Sequence, residues 1–311
     1  MNDRFKVSII GDGNVGSACA QRIVERDYAD VVLLDIIEGL PQGKALDIQQ
    51  SASVVGFNSR IIGTNDYEET AGSDVVVITS GSPRKPGMTR DDLLLTNMKI
   101  VSEVTSRVVA KSPDCVIIVA TNPVDAMVQL ARHVSQFPQK RVLGLSGVLD
   151  AARLSTFVAA ESKMPVEYVD ACVLGEHGKN MVVIPRLTKI QGRPITELLP
   201  AESISKLVER TIGGGAEIVG LLKTGSAFYA PSAAITQMVD AILLNKDMTL
   251  SCAMSLNGEY GLTDTVISVP VKLGQGGVEE VVELELTSEE RQALANSAKA
   301  VQELIGVMKL D

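Results

Sequence analysis

The sequence predicts an α/β protein, with a doubly wound parallel sheet in its first half and an α+β region in its second. Two observations carry this expectation. Short apolar runs rich in Val and Ile recur through the first half: FKVSIIG, DVVLLD, SRIIGT, DVVVITS, CVIIVAT and RVLGLS. Longer stretches at helical spacing separate most of them. Continuous apolar runs of this length suit strands buried on both faces. Strand–helix–strand repetition implies right-handed crossovers, and hence helices on both faces of one sheet.

The helices can be placed in the same way. In TRDDLLLTNMKIVSEVTSRVVA, residues Leu93, Leu94, Met98, Val101, Val104 and Val108 form a stripe at helical spacing. Thr89 followed by Asp92 is a capping-box pair at its start, so Asp91 and Asp92 are expected as helix-start acids. The second half is less regular. A glycine-rich helical region (RTIGGGAEIVGLLKTGSAFYAPSAAITQMVDAILL) precedes three expected strands, LSCAMSLN, TVISVPVKL and VVELEL, and a charged terminal helix from about Ser288. No repeat, low-complexity tract or linker marks a boundary. The division is expected near residue 145, giving domains 1–145 and 146–311.

Composition narrows the class. A chain of 311 residues can bury a large core and divide into two domains. With 29 Lys+Arg against 38 Asp+Glu the formal charge is -9, which argues against nucleic acid as a partner. The N-terminal apolar run is too short for a signal peptide, and no apolar stretch approaches the ~18 residues of a membrane span. The four cysteines, Cys19, Cys115, Cys172 and Cys252, form no CxxC pair, and three lie in or beside apolar runs. They read as inert thiols, with neither disulfide nor metal site, in a reducing cytoplasm.

The first chemical motif is VSIIGDGNVGSACAQRIVER, where Gly11, Gly13 and Gly16 follow the order G-x-G-x-x-G. Such a pattern is weak alone, but here it follows a buried strand and opens a helix, as a dinucleotide-binding fingerprint requires. Gly11 allows the tight turn, Gly13 lets a pyrophosphate approach the backbone, and Gly16 lets helix and strand pack closely. The helix N-terminus offers free N–H groups and the positive end of its dipole. Asp35 ends the second strand. A carboxylate there accepts hydrogen bonds from ribose hydroxyls and repels a 2′-phosphate, so the expected cofactor is NAD rather than NADP. The sheet is therefore expected to be Rossmann-type, with 1–145 the dinucleotide-binding domain and 146–311 the catalytic and substrate domain.

Hydride transfer to a ketone needs a proton donor, a group that polarises the carbonyl and an anchor for the substrate. Of the two histidines, His133 lies on a presumed helix and reads as structural. His177, in CVLGEHGKN, follows an apolar strand and sits between Gly175 and Gly178, which leave the ring accessible. Asp150 and Arg153, three apart in GVLDAARL, share a helix face. That spacing fits a carboxylate that orients the histidine, and equally a helix-start acid beside a solvated arginine. Asn122 ends another buried strand, where ligands bind in open α/β sheets, although a turn Asn before Pro fits the same pattern. In GSPRKPGMTRDD, Arg84, Lys85 and Arg90 crowd into a Pro/Gly-rich loop of an acidic chain. Such a loop can give a small anion a local positive field.

Taken in order, GDGNVG, LLDIIEGLPQGKALD, PRKPGMTRDDLL, TNPVD, GVLDAARL and GEHG resemble the lactate/malate dehydrogenase family over essentially the whole chain. IIEGLPQGKALD and PRKPGMTRDD look like its malate branch, on the side nearer to lactate dehydrogenases. The resemblance implies reversible, NAD-dependent hydride transfer between malate and oxaloacetate. It implies that His177 is proton donor and acceptor, paired with Asp150. Arg153 would grip the first substrate carboxylate. Arg90 would polarise the reacting carbonyl, and Arg84 would bind the second carboxylate, where similar lactate dehydrogenases carry Gln. Asn122 would contact substrate and nicotinamide. Gly11, Gly13, Asn14, Gly16, Asp35, Asn97 and Val119 would complete the NAD site, and no metal is implied. Pro83, Pro86 and Gly87 would shape a closing lid, with Lys85 solvated.

The resemblance also implies a homo-oligomer, a tetramer ahead of a dimer, although the chain starts at its first strand without the N-terminal arm of many lactate dehydrogenases. Two residues depart from the pattern. Asp12 stands where a small residue is common, so its side chain must point away from the phosphates, and Lys179 stands where an acid is frequent. The alternatives are a lactate or other 2-hydroxyacid dehydrogenase, against which Arg84 argues, an NAD-dependent glycosidase on a related fold, and an idle NAD-binding protein.

Overall fold

A computed structural model describes residues 4–83 and 87–310, without the side chain of Arg90. Arg84, Lys85 and Pro86 lie outside the described residues, as does the substrate-side role expected of the Arg90 side chain.

The first half is built as the apolar runs dictate. β1 (Phe5–Ile10) leads into α1 (Asn14–Val24), then β2 (Ala29–Leu34) into α2 (Leu40–Gln50) and the short α3 (Ala52–Val55). β3 (Ile61–Thr64) and β4 (Val75–Ile78) follow, then α4 (Arg90–Lys111), β5 (Val116–Val119), α5 (Val124–Ser135) and β6 (Val142–Gly144). These strands are parallel, in the order β3-β2-β1-β4-β5-β6. The order reverses between β1 and β4. The loops leaving the carboxyl ends of those two strands therefore diverge and open a crevice.

Strand alternation sends successive side chains to opposite faces. Val75 and Val77 join the core that includes α1, while Val76 and Ile78 join the core under α4 and α5. All four are fully buried, which is why these strands read as unbroken apolar runs. The α4 stripe behaves as its spacing requires. Leu94, Val101, Val104 and Val108 are buried, with Leu93 and Met98 partly so. The Thr89–Asp92 capping box closes the N-terminus of this helix.

The second half opens with α6 (Gly147–Ser162), then β7 (Val169–Asp170), β8 (Val173–Gly175), β9 (Met181–Val183), β10 (Lys189–Ile190), β11 (Arg193–Pro194) and α7 (Ile195–Leu198). Next come α8 (Ala201–Leu222), α9 (Tyr229–Leu243), β12 (Thr249–Asn257), β13 (Thr263–Gly274), β14 (Gly277–Val281) and α10 (Ser288–Met308). The parallel sheet does not end at β6. It continues antiparallel through β12, β13, β8 and β9, with β14 also on β13, while β11, β10 and β7 form a separate small sheet. Helix α9 packs on α1, with Ile235, Met238, Val239 and Ile242 in the same core as Cys19 and Ile23.

One expected strand is misplaced. VVELEL, residues 281–286, contributes only Val281 to β14. Beyond it the backbone is taken up by Tyr260, whose hydroxyl donates to the Val282 carbonyl and accepts from the Leu284 N–H. No helix among the described residues is long and apolar enough to cross a membrane.

Candidate active site

The glycine loop sits at the carboxyl end of β1. Gly11 has φ +110°, and a Cβ there would fall 2.6 Å from the Ser80 amide nitrogen, so only glycine fits beside the segment leaving β4. A Cβ on Gly16 would fall 1.9 Å from the Gly11 carbonyl oxygen, the close approach of helix to strand. A Cβ on Gly13 would meet nothing within 4 Å. That glycine faces open space at the start of α1, where unpaired N–H groups and the dipole favour a phosphate. The Asp35 carboxylate accepts the Asp12 N–H at 2.7 Å and the Ile37 N–H at 3.0 Å, which fixes it at the end of β2. These features fit a bound dinucleotide.

Gly13, Asn14 and Gly16 line one wall of a cleft of ≈ 640 Å³. Thr79, Asn97, Asn122, Arg153, His177 and Gly215 also line it. The cleft thus takes side chains from both halves of the chain. Four residues expected at the site do not line this cleft. Gly11 and Asp150 are buried, Asp35 is partly exposed just past the end of β2, and Val119 is fully buried in the central strand β5. Its neighbour Ala120, just past the strand end, lines the cleft instead.

On the opposite wall the three residues singled out by spacing meet. Asp150 sits in the first turn of α6 with a side chain only 1% exposed. Its Oδ2 lies 2.8 Å from His177 Nδ1, and its Oδ1 accepts from the Arg153 guanidinium at 2.9 Å. The alternative of a helix-start acid beside a solvated arginine does not hold, because the Arg153 side chain is 13% exposed and Asp150 has both oxygens engaged. Arg153 Nε is buried and without a partner among the described residues. Burial disfavours the charged imidazole of His177. The Asp150 charge and hydrogen bond, with Asp125, outweigh burial and the opposing Arg153, and hold His177 above its ordinary range.

Asn97 and Asn122 act as a pair. The Asn97 amide accepts the Ser82 N–H at 2.7 Å and donates to the Asn122 carbonyl at 2.7 Å. Asn97 therefore ties the segment that runs toward Arg84 to the loop that presents Asn122. Arg90 begins α4 immediately after the Thr89 cap, so the basic loop feeds straight into the helix. Asp12 is 1% exposed and its side chain is engaged by Lys44 and Ser17, away from the cleft lining. Lys179 is exposed in the turn after His177.

Sequence reasoning missed two acids behind the histidine. Asp125, in the first turn of α5, is buried and accepts the His177 backbone N–H at 2.9 Å. Burial, with Glu176 and Asp150 nearby, pushes its carboxyl up to about 7, against the pull of His177. Glu176 accepts from the backbone and side chain of Asn180 and so shapes the turn that carries the ring. The only signal was the acid closing TNPVD. Two glycines beside Arg153, Gly214 and Gly215, were also unassigned. A Cβ on Gly214 would lie 3.2 Å from Arg153 Cδ, so this residue of α8 leaves the guanidinium its path.

A glycine loop at the switch point of a parallel sheet, facing an Asp–His pair and a sheltered arginine across one cleft, defines a nicotinamide-dinucleotide-dependent oxidoreductase. The family model for the lactate/malate dehydrogenase NAD-binding domain matches residues 5–144, and that for the lactate/malate dehydrogenase alpha/beta C-terminal domain matches residues 147–309. The chain belongs to the lactate/malate dehydrogenase family. It is 54% identical to a malate dehydrogenase of Dehalococcoides mccartyi over 98% of this chain and 99% of that one. Among solved structures it is similar to the malate dehydrogenase of Salinibacter ruber, with TM-score 0.94 and 46% identity over 98% of each chain. It is also similar to the lactate dehydrogenase of Cryptosporidium parvum in complex with lactic acid and NAD, with TM-score 0.96 and 38% identity over 99% of each chain. The two activities share this backbone, so side chains must separate them.

Proposed function

We propose that the chain is an NAD-dependent malate dehydrogenase, interconverting malate and oxaloacetate, with residues 1–145 holding the dinucleotide and 146–311 supplying the acid–base pair. One observation carries the reading. His177 opens into the cleft with Nδ1 on buried Asp150, whose other oxygen holds Arg153. The malate dehydrogenase names of relatives at 52–55% identity and Arg84 in the basic loop support malate over lactate.

When bound, NAD would supply the hydride chemistry at this site. Gly13, Asn14 and the start of α1 seat its pyrophosphate, and Asp35 takes the ribose hydroxyls. With Nδ1 committed to Asp150, His177 Nε2 faces the substrate. It accepts the hydroxyl proton in malate oxidation and donates it in oxaloacetate reduction. Asp150 stabilises the imidazolium and fixes the ring. Arg153 presents its remaining N–H groups to one substrate carboxylate as a planar fork. Arg90 polarises the carbonyl, Arg84 binds the second carboxylate, and Asn122 lies between substrate and nicotinamide. Closure of the Pro83–Gly87 loop excludes water. NADH oxidation measured side by side with oxaloacetate, pyruvate and 2-oxoglutarate tests the reading. A preference for pyruvate or 2-oxoglutarate would overturn it.

The same reading makes the protein a cytoplasmic homo-oligomer, a tetramer ahead of a dimer. Ile36, Val54 and Leu221 are 88%, 86% and 76% exposed, and such apolar side chains favour burial against a second copy. Light scattering on the purified protein gives the assembly directly.

A further inference from the structure

We propose that Lys44 is a positioning residue for the cofactor, whose task is to neutralise and hold Asp12 within the loop that seats the pyrophosphate. The proposal rests on the reading of the Gly11–Gly16 loop as the dinucleotide seat.

Asp12 occupies the variable place of the glycine motif, between two glycines that leave the backbone bare. A carboxylate there is a liability, since the loop must receive a ligand with negative phosphates. It is also buried, with its Oδ2 lacking a partner among the described residues. Lys44 answers that charge from 32 positions away in the chain. Its ammonium donates to the Asp12 carbonyl at 2.6 Å, to Asp12 Oδ1 at 3.2 Å and to Ser17 Oγ at 2.9 Å. An ammonium has three donors, so these contacts use all of them. Ser17, on the first turns of α1, in turn donates to Asp12 Oδ1 at 2.6 Å. The Asp12 N–H is held by the Asp35 carboxylate at 2.7 Å. The amide of one loop residue is thus tied to Asp35 just past β2, its carbonyl to α2, and its carboxylate to both α1 and α2.

The tie matters more because α2, which carries Lys44, buries only Pro41 and Ala45. Ala45 and the partly buried Ile48 seat that helix on the core, and the Lys44 contacts join it to the loop. Burial raises the Asp12 carboxyl, while Ser17 and Lys44 oppose that rise, as expected for an ion pair completed by the lysine. Removing one partner of a buried pair leaves the other uncompensated, whereas removing both does not. Lys44 should therefore be needed only while Asp12 is present.

The test uses NADH fluorescence titration and apoenzyme thermal melts on Lys44→Met, Asp12→Ala and the double variant, with Asp35→Ser as control. Lys44→Met should weaken NADH by ~10-fold or more, as the buried acid is left uncompensated beneath the loop that seats the phosphates. The double variant should bind within ~3-fold of Asp12→Ala alone, a coupling that only interacting residues show. KM for the keto acid at saturating NADH should not move, a split that simple unfolding would not produce. An unchanged Kd in Lys44→Met overturns the proposal. So does an equal loss on removing Lys44 with and without Asp12, which would mean that the lysine acts on the phosphates directly. If Lys44→Met does not fold, the comparison of the double variant with Asp12→Ala still decides. If Asp35→Ser leaves NADH affinity unchanged, the reading of the loop itself fails; a normal loss there beside a silent Lys44→Met overturns only the pair.

Discussion

Asp150 divides its two oxygens between the His177 ring and the Arg153 guanidinium, at 2.8 and 2.9 Å. Because His177 is held above its ordinary range, oxaloacetate reduction, which needs the imidazolium, persists as pH rises until that raised value is passed. In Asp150→Asn the main raising influence is lost while burial, which lowers the value, remains. The alkaline fall in kcat/KM should then move to lower pH, with a loss of ~10² or more above neutrality. A full-rate variant with an unshifted profile would remove Asp150 from the mechanism. Arg84→Gln tests substrate choice. An arginine enclosed without its anion disfavours pyruvate, and losing one partner of a desolvated pair costs ~2–5 kcal/mol, or ~30- to 5,000-fold. kcat/KM should fall for oxaloacetate and rise for pyruvate with NADH affinity nearly constant. A change in their ratio below about tenfold would exclude Arg84 as the discriminating residue. His177, Asp150 and Arg153 were legible because each sits in a short local pattern. Asp125 was not, because the N–H that it accepts belongs to residue 177, and no local spacing links the two.

At the scale of the element, α8 shows how a helix can be weakened for a neighbour. Gly213, Gly214 and Gly215 interrupt its interior, where each glycine costs roughly 0.5–1 kcal/mol against alanine. A Cβ on Gly213 would meet nothing within 4 Å, while one on Gly214 would press on Arg153 Cδ at 3.2 Å. Gly213→Ala should therefore raise Tm and leave KM for the keto acid alone. Gly214→Ala should raise that KM with NADH binding intact. Melts and initial rates on both variants check this, and equal KM values would mean that the glycine does not make room for the arginine. Strands and helices of the first half were legible because buried parallel strands leave long apolar runs. The VVELEL segment alternates like a strand, yet a tyrosine hydroxyl from another loop captures its backbone, and no pattern in the segment itself could announce that. The sequence marks α8 only as a glycine-rich helical stretch, because the approach of Gly214 and Gly215 to Arg153 arises from the packing of α6 on α8.

For the whole molecule the decisive feature is the sheet that runs on through β12 after β6, reinforced by α9 against α1. The sequence shows a change from alternating to irregular pattern near residue 145 but not this continuity, since a strand pairing between distant segments leaves no local mark. Two halves joined by one sheet should unfold together. Scanning calorimetry should give a single transition, which NADH moves upward as a whole, by ~2.7 kcal/mol at a hundredfold excess over Kd. Two resolved transitions would contradict the coupling. The same continuity bears on how recognition is distributed. The glycine loop and the His177 wall stand on one hydrogen-bonded framework, so a dinucleotide meets a slot already shaped, and little of its binding energy is diverted into assembling it. The sheet itself then has no part in rearranging around the right substrate, a task left to the loop after β4. On the proposed reading, choice between two keto acids of similar size falls to a few charged residues of one loop, and a change of metabolic role needs no change of architecture.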